Sequence, residues 1–162
     1  MPKTPSNITA ACAILLVASL ATSPSVSLAA EQSSPSVAAL VRQAETQLQQ
    51  QDIEGAIATL RQAIDLEPDS AVAQTRLGGA LLLAQRHDAA IAQFRQAIAI
   101  PAVPDSARAP AFIGLAFAYL HTQRPALAKA ALVEARRLDP GKAPEIDQAI
   151  QRIDRRAAAP PH

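Results

Sequence analysis

Apolar residues recur along this chain at helical intervals from residue 37 onward. Val37, Leu40, Val41, Ala44 and Leu48 stand 3, 4, 7 and 11 residues from the first, which places them on one face of an amphipathic helix. After the polar break Gln49-Gln50-Gln51-Asp52, the residues Ile53, Ala56, Ile57, Leu60, Ala63 and Ile64 repeat the pattern, and Pro68 ends the pair. No stretch alternates with a period of two and β-branched residues are sparse, so strands are not expected.

The pair of helices then recurs. The segment AIATLRQAIDLEP begins at Ala56, AIAQFRQAIAIPA begins at Ala90, 34 residues on, and AKAALVEARRLDP begins at Ala128, 38 further. Self-similarity at this period marks a stack of two-helix units, none of which buries its apolar face alone. Gly78 and Ala90 are small where the two helices of one hairpin approach, while Leu77, Leu81 and Phe94 fill the space beside them. The four extra residues before the third unit fall within Pro101-Ala102-Val103-Pro104-Asp105-Ser106 and predict an interruption, with Asp105 or Ser106 as the next N-cap and Pro110 late for a first turn. The last helix, 143–156, carries Ile146, Ala149, Ile150 and Ile153 on one face and charged or amide side chains on the other. It reads as a cap on the open end, followed by a tail over 157–162.

These positions resemble the tetratricopeptide repeat. The pattern of large residue, Leu-Gly, large residue, Ala, aromatic or Leu, Ala and Pro is matched by Leu77, Gly78, Leu81, Ala90, Phe94 and Ala97 in the second unit. The third offers Phe112, Leu115, Ala116, Tyr119, Ala128, Leu132, Ala135 and Pro140, and the first Leu40, Ala44, Ala56, Leu60, Ala63 and Pro68. Gln43 and Gln47 depart from it, predicting looser packing in the first unit, and Ala102 replaces the terminal proline of the second. The resemblance implies an all-α fold, an α-solenoid of three helix-turn-helix repeats (37–70, 71–104 and 109–142) plus a C-terminal capping helix.

The same resemblance implies a concave groove lined by the first helix of each unit. Position by position it would comprise Val41, Glu45, Leu48 and Gln49, then Thr75, Arg76, Gly79, Leu82 and Leu83, then Ile113, Phe117, Leu120 and His121. Leu82, Leu83, Phe117 and Leu120 could equally be core. Chaperone-binding members of the family clamp a C-terminal carboxylate with Lys, Asn and Arg; the matching positions here hold Val41, Glu45, Arg76, Pro110 and Gly114, so only Arg76 could contribute. The expected partner is therefore a polypeptide held mainly by apolar contact, with Glu45, Arg76 and His121 setting its orientation. A second copy of the chain is the alternative occupant.

Composition narrows the function further. Residues 1–29 have the layout of a signal peptide: Lys3, the uncharged run Ile8–Ala21 (14 residues), Pro24, and small residues at Ser27 and Ala29 before a cut. That run is shorter than the ~18 residues of a membrane span, so a retained anchor is disfavoured and no stable span is expected after cleavage; Cys12 has almost no apolar stretch ahead of it, which argues against a lipoprotein. Export to the periplasm or an equivalent lumen follows, with residues 30–36 as a linker. The processed chain would then lack cysteine and, with Lys3 gone from a net charge of +1, would be neutral, leaving no electrostatic footprint for nucleic acid. No nucleophile elbow, phosphate loop or H-E-x-x-H motif is present, so neither enzyme activity nor a metal or other cofactor is expected. Catalysis would need a group the sequence does not display, such as a carboxylate pair assembled between helices. His87 reads as a solvated turn residue, His121 as a surface residue of a first helix, and His162 as part of the tail. Arg136, Arg137, Arg152, Arg155 and Arg156 read as partners in solvated ion pairs.

Overall fold

In a computed structural model, residues 36–101 and 103–158 are described. The expected leader, most of the linker, Ala102 and the tail from 159 on, with His162, lie outside them. Three antiparallel helical hairpins follow one another: α1 (Val37–Gln49) with α2 (Ile53–Leu66), α3 (Ala71–Leu83) with α4 (His87–Ala99), and α5 (Asp105–His121) with α6 (Pro125–Leu138). A 3-10 turn, Pro140–Lys142, leads into α7 (Ala143–Ala158). Each hairpin packs on the next, α2 and then α4 against the following first helix, and α3 lies against both α1 and α5. This is the predicted α-solenoid.

Local chemistry explains where the helices begin and end. Ser36, Asp52 and Ser70 cap α1, α2 and α3, each side chain accepting from the backbone N–H three residues on. At the tip of every hairpin a glutamine takes the left-handed conformation: Gln51 (φ 64°), Gln85 (φ 60°) and Gln123 (φ 59°). Around each runs the same pair of bonds, Asp52 N–H to the Gln47 carbonyl at 2.8 Å with Gln51 N–H to Leu48, then Arg86 to Leu81 with Gln85 to Leu82, then Arg124 to Tyr119 with Gln123 to Leu120. This Schellman closure turns the chain sharply back and sets the hairpin angle three times over.

The core is built of small residues interleaved with a few large ones. Ala44, Ala56, Ala63, Ala73, Ala80, Ala90, Ala128 and Ala135 are fully buried, so the helices approach closely and Leu40, Ile57, Leu60, Leu77, Leu81 and Leu132 fill the remaining space. Phe94 is the largest side chain sealed from solvent. Its ring lies against Gly78 of α3, where a Cβ would meet it at 2.7–2.9 Å, and against Gly114 of α5, where a Cβ would overlap it. One aromatic ring of α4 thus occupies the seam between two successive first helices.

Three expectations are corrected. The N-cap of α5 is Pro104, without a side-chain cap, rather than Asp105 or Ser106. The expected interruption lies between Ala99 and Asp105, but the extra length is not in it: α5 has 17 residues where α1 and α3 have 13, one further helical turn with Pro110 inside it. That proline cannot donate to the Ser106 carbonyl, a loss tolerated near the exposed start of the helix. The first hairpin, finally, is not left loose by Gln47: the half-buried amide accepts a 2.8 Å bond from the buried Thr59 hydroxyl and ties α1 to α2.

Candidate functional site: the face of the first helices

The predicted groove residues divide by burial. Val41 is buried in the core beside Leu40 and Ala44, so it lines no open groove; its place beside Leu40 on the helix turns it inward. Leu48, Leu82 and Ile113 are half-buried and packed against the core, Thr75 and Gly79 are also half-buried, and Gln49 is exposed. Leu83, Phe117 and Leu120 remain 59%, 54% and 39% exposed, a large apolar surface for residues on successive first helices. At Gly79 of α3 a Cβ would meet nothing within 4 Å, so the surface there is open. The Thr75 hydroxyl is screened from solvent and has no hydrogen-bond partner, so it presents no polar group to this face.

The charged members are arranged differently from the expectation. Glu45 and Arg76 pair with each other at 2.9 Å across α1 and α3. Both are substantially exposed, so the pair contributes about 0–1 kcal/mol, but it already engages the groups expected to orient a partner. His121 stacks on His87, ring centroids 4.7 Å apart and planes within 11°. His87 is therefore not a solvated turn residue: it is the first residue of α4, half-buried, with its Nδ1 unpartnered. The stack joins two residues 34 apart, both near the hairpin tips, and no local motif announces it. No group of three or more His, Cys, Asp or Glu side chains is placed to hold a metal ion among the described residues.

Sequence reasoning missed the cleft at the far end. In the repeating part each first helix leans on the next, but α7 packs on α6 and not on α5. Two ion pairs, Lys129–Asp154 at 2.7 Å and Arg136–Asp147 at 2.6 Å, fasten α7 to α6, and Ile146 is its one buried residue. The separation leaves an open cleft of about 650 Å³ between Phe117 and Leu120 on one side and Ala149 and Ile153 on the other. A neighbouring hollow of about 380 Å³ continues it toward Ile113, Lys142 and Glu145. The signal was present in α7, whose apolar stripe is longer than a single neighbour can cover.

Stacked hairpins with small-residue seams and apolar first-helix faces agree with the sequence comparison, in which residues 41–107 match the tetratricopeptide repeat. Residues 41–107 carry tetratricopeptide repeats, and the described residues have the tetratricopeptide fold. No curated protein matches its sequence. Among solved structures, the first tetratricopeptide domain of Spaghetti (RPAP3), bound to the HSP90 peptide SRMEEVD, superposes with a TM-score of 0.68 and 18% identity over 76% of this chain and 94% of that one. The TPR2B domain of yeast Sti1, in its pHsp70 complex, gives 0.68 with 22% identity over 74% and 97%. The Sgt2 domain from Aspergillus fumigatus gives 0.69 with 16% identity over 78% and 85%. At these identities the likeness establishes the tetratricopeptide architecture. No helix among the described residues is long and apolar enough to cross a membrane.

Proposed function

We propose that this protein is a non-enzymatic interaction module that holds a partner polypeptide against the face of its first helices, as a scaffold or assembly factor outside the cytoplasm. The observation that carries the reading is the exposure of Leu83, Phe117 and Leu120 on successive first helices whose seam is filled by Phe94. Apolar side chains on a preformed surface suit the anchors of an amphipathic or extended segment, because little ordering is needed on the receptor side. Two of the similar tetratricopeptide structures carry peptides of HSP90 and Hsp70 origin. A carboxylate clamp of that kind is not rebuilt here: Val41 is buried, Arg76 is paired with Glu45, and Gly114 lies under Phe94. The location outside the cytoplasm rests on the leader-like sequence of residues 1–29.

Affinity capture from a native envelope extract tests the reading. The wild-type chain should retain a defined polypeptide, and Leu83→Glu combined with Phe117→Ala should lose it by tenfold or more (about 1.4 kcal/mol per tenfold) with helicity unchanged. Equal retention by the variant would remove this face from consideration.

A further inference from the structure

The two ends of the solenoid differ in charge. Residues 36–70 hold Arg42 and Arg61 against six carboxylates, a net of −4, whereas residues 103–158 hold nine cations against six carboxylates, a net of +3. Much of the acidic excess sits in the turn between α2 and α3. There Asp65, Glu67 and Asp69 are exposed and take part in no ion pair among the described residues. In the same stretch Leu66 and Val72 are 55% and 53% exposed. A short segment with three uncompensated carboxylates and two bare apolar side chains is an unusual surface for a protein of net charge +1.

The cleft between α5 and α7 has the opposite character. Its walls are apolar, from Phe117, Leu120 and Ile153, and its rim carries Arg152 and Arg156. Lys142 and Glu145 line the adjoining hollow. Arg136, Arg137 and Lys129 nearby are all engaged by carboxylates, but Lys142, Arg152 and Arg156 have no such partner among the described residues. Apolar floor and cationic rim match apolar tip and acidic flank.

We propose that this cleft receives the α2–α3 turn of a second copy of the chain, Leu66 entering between the walls while Asp65 and Glu67 face Arg152 and Arg156. The two surfaces are different patches of one molecule, so the contact is heterologous. A pair joined in this way keeps one turn and one cleft open, and association continues head to tail instead of closing at a dimer. The area is small for a stable interface, which makes the assembly dependent on concentration, and its ionic rim makes it sensitive to salt. The cleft shares Phe117 and Leu120 with the proposed partner face, but the α2–α3 turn that enters it and the arginines on its rim lie outside that face.

Sedimentation velocity and light scattering on the purified protein test it. From about 10 µM to about 1 mM at about 0.05 M salt, the weight-average mass should rise about twofold or more, and should fall back toward that of one chain at about 0.5 M salt. Arg152→Glu with Arg156→Glu should stay monomeric, and so should Asp65→Lys with Glu67→Lys. All four positions are exposed, so circular dichroism should be unchanged. An equal mixture of the two variants restores opposite charges at every junction and should regain the mass increase. A wild-type mass constant over this range, undiminished association by either variant, or a mixture that stays monomeric would overturn the proposal. So would an acidic, leucine-bearing synthetic peptide that binds the cleft of a protein which itself remains monomeric, since the cleft would then belong to another polypeptide.

Discussion

The middle of the solenoid and its C-terminal end solve the same packing problem with different side chains. Between α3 and α5 the glycines 78 and 114 let the Phe94 ring enter the seam, and Arg95 adds a 2.9 Å bond to the Tyr119 hydroxyl across α4 and α5. Between α5 and α7 no large side chain fills a seam in this way: α7 buries Ile146, packs Ala149, Ile150 and Ile153 only partly against the core, and adds two exposed ion pairs to α6. Exposed pairs of this kind contribute about 0–1 kcal/mol each, whereas a buried aromatic contributes several times that. The difference teaches that a repeat stays closed where a large side chain meets a missing Cβ and opens where the end helix leans on one neighbour and leaves the other bare.

Substitutions can break this contrast. Phe94→Ala should have the largest effect, about 3–5 kcal/mol lost in urea unfolding, because the ring is sealed and both glycines would then face a cavity. Ile146→Ala should lose less in global unfolding than the ~2–5 kcal/mol typical of a core isoleucine, since α7 can detach alone; proteolysis should cut first before α7. The neighbouring glycines should then separate in sign. Gly78→Ala drives a Cβ into Phe94, and the ~1–3 kcal/mol of overpacking outweighs the helix gain. Gly79→Ala, with open space around it, should stabilise by up to ~1 kcal/mol, measured as a raised Tm. Smallest is Gln85→Gly, which relieves the left-handed backbone but loosens the unfolded chain, for a net gain of a few tenths of a kcal/mol on the scale of the ~0.4–1 kcal/mol glycine effects.

Much of the repeating part was legible because its physics is local and periodic. Ala56, Ala90 and Ala128 announce the same close approach at near-constant spacing, and all three are fully buried. Val41 was misplaced because, on a helix, residues next to the apolar stripe can turn either way, and only the position of α3 decides. Pro101 and Pro104 rightly marked an interruption, but they drew the four extra residues into it, and the added turn falls in α5 instead. Gly114 entered only as a position lacking a clamp residue, since its partner Phe94 lies 20 residues away in another helix. The glutamines 51, 85 and 123 recur at the repeat interval, so their left-handed turns had a sequence signal, but glutamine is not the residue such a turn advertises. The His87–His121 stack and the opening beside α7 depend on relations between units that no single repeat encodes.

Native-state hydrogen exchange on the whole chain measures the contrast directly. Amides of Leu77–Leu81, Ile91–Ala97 and Leu115–Ala118 should exchange at the slow global rate, while those of 146–156 should exchange through local opening, at least about tenfold faster at a difference of ~1.4 kcal/mol. Protection in α7 equal to that around Phe94 would contradict the account, because the end helix would then be locked as firmly as the seam.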